Sequence, residues 1–467
     1  MKILNQNYLT KSEFFILLIS VITLTLVSYG MHFLIWVVAA PLIYLAFTKN
    51  IKRLAVLSLI YGIFASVMFF TWVYDANLEY KTKLYLLIIL IFTIYFVLFL
   101  TTIAFFSKKL KSNYIFLLPP VLWLLLMLLY SLLPIQMYWM DFAIFQPLMA
   151  PLIWYVGSYG ITFLIILFNS VLAYYFVKRN KNLLFLLLFL IFIIIFCFLY
   201  GNYSDSSYKE NKIKVALLQG NFPYSWEWRQ QNSFGVIYST YINMTYEASK
   251  QKPDIIVWPE YSLTDDITKN KNIFAEIKST AQSLNTTLIV GAISYVDEEN
   301  YKDTAFVFKT DGSFETYDSV EPVFMETSVV RGKKNEPLSH GQNKFGITIC
   351  NEESIQSITR NYAAKDAQFI VSMSNNQFFG RGRYMISLFT RLRAAENAKY
   401  LVRATNDGIT QIVNPFGKVV YSLEPKKQKI LIGDIYVNNY QTFYTKHGNI
   451  LVYLLMVLSA ILILKKR

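Results

Sequence analysis

Seven apolar stretches of about 18 to 25 residues follow one another in the first 200 residues, near 13–29, 30–48, 54–74, 83–106, 114–133, 158–177 and 183–200. An eighth runs from about 449 to 464. Segments of this length match the roughly 30 Å hydrocarbon thickness of a bilayer when helical. Backbone polar groups surrounded by lipid must be satisfied within the segment, so a chain of this kind is committed to a helical membrane domain. The first stretch follows Lys2 and Lys11 like a signal sequence, but no small-residue cleavage site comes after it and the next stretch begins at once, so it is expected to stay.

The charges between these stretches alternate. Lys49, Lys52 and Arg53 lie between the second and third, and Lys108, Lys109 and Lys111 between the fourth and fifth. Lys178, Arg179 and Lys181 separate the sixth from the seventh, and Lys465, Lys466 and Arg467 end the chain. The intervening connections are balanced or poor in basic residues, as with Asp75, Glu79, Lys81 and Lys83. The positive-inside rule then puts both termini in the cytoplasm and the large hydrophilic region on the opposite side. A net charge of +14 would otherwise point to nucleic acid; here topology accounts for much of it, and no nucleic-acid partner is expected. The connection at 134–157, with Trp139, Trp154, two Phe and three Pro, suits the outer membrane interface either as an aromatic belt or as a lid.

Residues 212 to 440 change character. Lys214–Leu218, Ile255–Trp258, Thr287–Gly291, Thr304–Phe308, Gly346–Ile349 and Phe369–Ser372 read as buried strands, and Tyr238–Lys250 and Ile273–Leu284 as intervening helices. That alternation predicts one layered α/β domain. The expected organisation is a seven-span membrane domain over 1–205, an α/β domain over 212–440, and a final span with a cytoplasmic tail over 448–467.

The chemistry-bearing stretch is Gly346-Ile-Thr-Ile-Cys350-Asn-Glu352-Glu353, an apolar run that feeds into a cysteine with carboxylates close behind. A thiol at the end of a buried strand is placed to be a nucleophile if a base or cation activates it. It is equally the small buried hydrophobe that most free cysteines are. The strand at 255–258 runs into Pro259-Glu260-Tyr261, which sets a carboxylate at a sheet's carboxyl edge, where sites on α/β sheets collect. The only other cysteine, Cys197, lies in an apolar run, and the three histidines are not clustered. No disulfide, metal site or cofactor is expected.

The ordered set Trp-Pro-Glu260, Phe324-Met-Glu326 and Ile-Cys350-x-Glu352 resembles the nitrilase (carbon–nitrogen hydrolase) superfamily. A nitrilase-like domain between seven spans and one final span resembles the apolipoprotein N-acyltransferases within it. The likeness extends through Val215–Pro223 with Trp228, Ser374–Gly380, Arg391–Glu396 and Val402–Thr410. It implies an α-β-β-α sandwich beside eight transmembrane helices in a bacterial inner (cytoplasmic) membrane, with the catalytic domain periplasmic. It implies Glu260 as general base, Cys350 as nucleophile, Glu326 and Glu352 as the family's further acids, and Trp228 and Phe378 as aromatics near the acyl or lipoprotein site. The implied reaction is ping-pong: Cys350 takes a fatty acyl chain from a phospholipid, expected to be phosphatidylethanolamine, as a thioester. The α-amine of an S-diacylglyceryl cysteine of an apolipoprotein then opens it to an amide. A monomer is expected.

Three departures accompany the likeness. The family lysine of Tyr-x-Lys is replaced in Tyr317-Asp318-Ser319, an aromatic expected after the nucleophile is Asn351, and a Gln-His pair gives way to Tyr384-Met385-Ile386. Losing an oxyanion donor costs about 3–4 kcal/mol, and Lys309, Lys333 and Lys334 are the nearby candidates to replace it. The departures leave two alternatives, a silent homologue that binds lipid or lipoprotein and a membrane-tethered amidase. Arg391, Arg393 and Glu396 at helical spacing read as surface ion pairing, as structural support for the site, or as direct substrate contact.

Overall fold

The computed structural model describes residues 9–465 apart from 77–79, 111, 134–137, 204–210, 224–232, 324–325 and 377–378. The chain forms two compact units: one of Met1–Gln146, Ser158–Cys197 and Asn449–Arg467, the other of Pro147–Gly157 and Phe198–Gly448.

In the first unit, helices Lys11–Ser28, Ile51–Phe69, Lys81–Leu110, Leu152–Lys178 and Lys181–Gly201 are long and apolar enough to cross a membrane. The other three expected spans are shorter apolar helical segments, His32–Thr48, Ile115–Tyr130 and Ile450–Leu464. The stretch expected as one span at 30–48 is broken into a 3-10 turn, His32–Trp36, and an α-helix, Ala40–Thr48. Buried Asn169 repairs that break. Its Oδ1 accepts from the amides of Ala39 and Ala40, both at 2.9 Å, and its Nδ2 donates to Ile35 O at 3.2 Å. A broken helix in an apolar surrounding is tolerated only when such a partner satisfies the freed groups. The described part of the aromatic connection up to Phe145 is core: Trp139 and Phe142–Phe145 are buried, and Phe142 packs on Trp123 at 4.7 Å between ring centroids.

In the second unit thirteen strands are described. They are β1 (Lys212–Gln219), β2 (Ile255–Val257), β3 (Leu263–Asp266), β4 (Thr287–Tyr295), β5 (Tyr301–Phe308), β6 (Phe314–Asp318) and β7 (Leu338–His340). Then come β8 (Asn343–Ile349), β9 (Phe369–Ser374), β10 (Tyr400–Thr405), β11 (Gln411–Val413), β12 (Val419–Ser422) and β13 (Lys429–Tyr436). One sheet has the order β13-β1-β2-β4-β5-β6, with β3 on β4, and the other β12-β11-β10-β9-β8-β7. Each holds a parallel trio, β1-β2-β4 and β8-β9-β10, extended by antiparallel strands. The parallel trios follow from the helical crossovers, which return the chain to the same sheet edge.

Helices Ser233–Ser249 and Lys271–Ser283 cover the outer face of the first sheet through Tyr241 and Ile277, against Leu218, Trp258, Val290, Phe306 and Phe308. On the second sheet, Tyr362 of helix Gln356–Ala364 lies directly over Gly346 of β8, where a Cβ would stand 2.4 Å from its ring. The inner faces of the two sheets meet, as where Gly433 of β13 opposes Ile412 of β11. The result is an α-β-β-α sandwich, the architecture the family resemblance implies for this α/β domain.

The segment Pro147–Gly157 belongs to this second unit, with Trp154 packed between Phe416 and Tyr440 at 5.4 and 5.9 Å. At Gly157 φ is +61°, and a Cβ would sit 2.5 Å from the Tyr444 ring, so both conformation and space demand glycine there.

Candidate active site

The site lies at the carboxyl edges of the two parallel trios. β2 runs out at Val257 into Trp258-Pro259-Glu260, and β8 runs out at Ile349 into Cys350. Gly291 of β4 makes room for the first of these turns, because a Cβ there would fall 2.2 Å from Pro259 O and 2.9 Å from Glu260 Cα.

Cys350 begins a short 3-10 turn, Cys350–Ser354, and is itself left-handed at φ +53°. A non-glycine residue in that region costs about 1–3 kcal/mol and persists only when its surroundings over-determine it. Two adjacent carboxylates do this by reaching in opposite directions. Glu352 accepts from the Tyr317 hydroxyl at 2.9 Å, Ser319 Oγ at 3.1 Å, and the amides of Val320, Glu321 and Ile349 at 2.6, 3.1 and 2.8 Å. Burial pushes its pKa up while these donors pull it down. Glu353 is gripped from the other side: Arg403 Nε and Nη2 donate to its two oxygens at 2.7 and 2.8 Å, and Ser372 Oγ adds a bond at 2.9 Å. The turn that presents the thiol is thus tied to β6, β9 and β10 together. Glu352 spends its lone pairs on that tie, a positioning role.

The thiol is buried and hydrogen-bonds the Glu260 carboxylate. Glu260 Oε2 also accepts from the Asn375 amide at 2.6 Å, at the end of β9. Burial pushes the Cys350 thiol well up, and Glu260, Glu326 and Asp303 push it further. Partly buried Glu326 is raised to about 8, by burial first and then by Glu260. Such a site can hold a neutral thiol beside a carboxylate that accepts its proton during attack.

The structure therefore brings together Glu260, Cys350, Glu326 and Glu352. Trp228 and Phe378 lie outside the described residues, as do Phe324 and Met325. Ser319, which the resemblance sets against a family lysine, is buried and turned to Glu352. Of the three lysines near it in sequence, Lys309 is engaged by Glu315 at 2.7 Å and Ser339 at 2.6 Å, and Lys333 and Lys334 are exposed. Of the readings open for Arg393 and Glu396, the surface pair is excluded: both are buried and bonded at 2.5 Å. Among the described residues no cluster of His, Cys, Asp and Glu is arranged to hold a metal.

Comparison with known proteins matches residues 214–444 to the carbon-nitrogen hydrolase family and residues 20–171 to the apolipoprotein N-acyltransferase N-terminal domain. The apolipoprotein N-acyltransferase of Geobacter metallireducens is 25% identical over 92% of this chain and 90% of its own length. That of Shewanella oneidensis is 26% identical over 63% of this chain and 62% of its own, so this match spans less than two thirds of that relative. The chain belongs to the apolipoprotein N-acyltransferases. A Helicobacter pylori carbon-nitrogen hydrolase structure aligns with 52% of this chain and 93% of its own at 18% identity and a TM-score of 0.41.

A further buried acid at this site, not evident from the sequence, is Asp303. It sits in β5, is 3% exposed, hydrogen-bonds Glu260 and acts on Cys350. The only local signal is an acid inside the strand Tyr301–Phe308, which by itself reads as a solvated position.

Proposed function

We propose that the chain transfers a fatty acyl chain from a phospholipid to the N-terminal amine of S-diacylglyceryl cysteine in apolipoproteins, through a Cys350 thioester. The observation that carries this reading is the strained Cys350 at the end of β8, its thiol bonded to Glu260. In the first half-reaction Glu260 takes the thiol proton as sulfur attacks the ester carbonyl. The tetrahedral intermediate then collapses, and the departing lysophospholipid oxygen receives that proton. In the second, the acceptor amine attacks the thioester carbonyl, Glu260 takes the amine proton, and the amide leaves as the proton returns to sulfur. Splitting one transfer into two lowers each barrier, and a thioester is activated enough for an amine to open. Glu326 supports the site as a further acid, and Trp228 and Phe378 are assigned to substrate contact on the family likeness alone.

The same reading gives eight spans, a membrane domain over 1–205, a catalytic domain over 212–440 facing the periplasm, and a final span and tail over 448–467. Both termini are cytoplasmic, in a bacterial inner membrane. The donor is phosphatidylethanolamine and the working form a monomer.

The test is mass spectrometry of the full chain after incubation with phosphatidylethanolamine. A hydroxylamine-labile acyl adduct on Cys350, discharged to an amide by a diacylglyceryl peptide, is expected. No adduct, where a lysine-bearing relative acylates fully, overturns the reading in favour of a silent homologue. Rapid release of free fatty acid overturns it in favour of a hydrolase.

A further inference from the structure

Side chains alternate along β5 and β6. In β5, Phe306 and Phe308 point outward into the core beneath the helices. Residues of the opposite parity point inward between the sheets. Asp303 is one of these, and its cross-strand partner is Ser319, since Thr304 pairs with Asp318 and the Ser319 amide donates to Asp303 O at 2.9 Å. Tyr317 and Ser319, on the same inner face, both reach Glu352. Asp303 therefore enters the site from the sheet opposite the nucleophile.

The groups that face it are acids or neutral. Glu260 stands on the turn after β2, Glu326 on the loop after β6, and Glu352 and Cys350 on the turn after β8. The Tyr261 and Tyr301 hydroxyls complete the set. Lys302, the adjacent residue in β5, has the opposite parity and pairs with Asp318 at 2.8 Å. No donor among the described residues reaches Asp303 Oδ1. Two buried carboxyls in contact cannot both be ionised, so one proton must lie between them. Glu260 is the member of the pair that also accepts from the Asn375 amide and the Cys350 thiol, and those donors favour its charged form.

We propose that Asp303 is a positioning residue that carries the proton of the Asp303–Glu260 pair, orienting the Glu260 carboxylate toward Cys350 and keeping it free to act as base. The proton stays with Asp303 through both half-reactions; Glu260 alone exchanges protons with thiol, leaving oxygen and amine. The inference rests on the reading of Cys350 as nucleophile and Glu260 as its base. Burial and the neighbouring Glu260 and Glu326 hold the Asp303 carboxyl well above the usual carboxylate range.

The test is the pH profile of Cys350 carbamidomethylation by iodoacetamide in the full-length protein in detergent micelles. Peptide mapping separates Cys350 from Cys197. Asp303→Asn keeps a donor to Glu260 but cannot ionise; Asp303→Ala keeps neither property. Asp303→Asn is expected to match the wild-type rate within about twofold at pH 7 and to exceed it about tenfold at alkaline pH, where the wild type gains a second repelling charge. Asp303→Ala is expected to react about tenfold more slowly at pH 7. Coincident profiles of the two variants overturn the proposal, whether both match the wild type or both are equally slow. The alkylation needs no lipid, so absence of an acyl adduct with phosphatidylethanolamine would fail the acyl-transfer reading without altering this result.

Discussion

The Ser319 amide donates to the Asp303 carbonyl at 2.9 Å, which sets a neutral hydroxyl directly across the strands from a buried acid that faces Cys350. A cation introduced at this position lies beside Asp303 on the inner face of the sheet. Ser319→Lys is therefore expected to lower the apparent pKa of Cys350 by about 1–2 units, because a nearby positive charge favours the thiolate. Iodoacetamide labelling at pH 7 should accelerate by about tenfold or more. An unchanged pH profile in a folded variant would show that the inner-face position does not communicate with the thiol.

Gly291 lies under the turn that delivers Glu260. A methyl group there meets Pro259 O at 2.2 Å and Glu260 Cα at 2.9 Å, and both obstacles are backbone. Gly291→Ala should displace Glu260 from Cys350 and reduce thioester formation by about 10²-fold, as misplacement of a reacting group by about 1 Å does. Circular dichroism should remain that of the folded protein. Full acylation by this variant would mean the turn moves without cost to the site.

Glu326 holds its proton up to about pH 8, through burial and the charge of Glu260. An unfolded chain releases that proton near pH 4.5, so between these values the folded state binds more protons and stability falls as pH rises. Glu326→Gln removes the penalty. Its gain in stability should be absent below about pH 4, grow through the interval and level off above pH 8, at up to about 3 kcal/mol after allowing for partial exposure. Thermal unfolding of the variant and wild type at pH 4, 6 and 8 measures it. A constant difference across the three pH values would contradict the assignment.

Much of the candidate site was legible because strand ends are written locally. Ile255-Ile-Val-Trp258 is an apolar run stopped by Pro259 with Glu260 next, and Gly346-Ile-Thr-Ile349 is an apolar run that leads straight into Cys350. The hydrophobic helices were legible for the same reason, although the span expected at 30–48 proved to be two pieces joined through Asn169. Arg393 and Glu396 could not be placed at the surface or in the interior from the sequence, because helical spacing says which side chains are neighbours, not whether another layer covers them.

Composition, periodicity and motif order by themselves determined a helical membrane unit, a layered α/β unit, and which cysteine and which strand-end glutamate to examine. These depend on interactions between residues close in sequence and on the transfer of apolar surface from water. Only the tertiary structure decided that Asp303 joins the site, that Ser319 turns to Glu352, and that Arg403, 50 positions from Glu353, holds the turn of Cys350. The first two follow from the pairing register of β5 with β6 and the apposition of two sheets, the third from the adjacency of β8, β9 and β10 within one sheet. Burial between those sheets changes a carboxyl from a solvated charge into a group that must share a proton or find a cation.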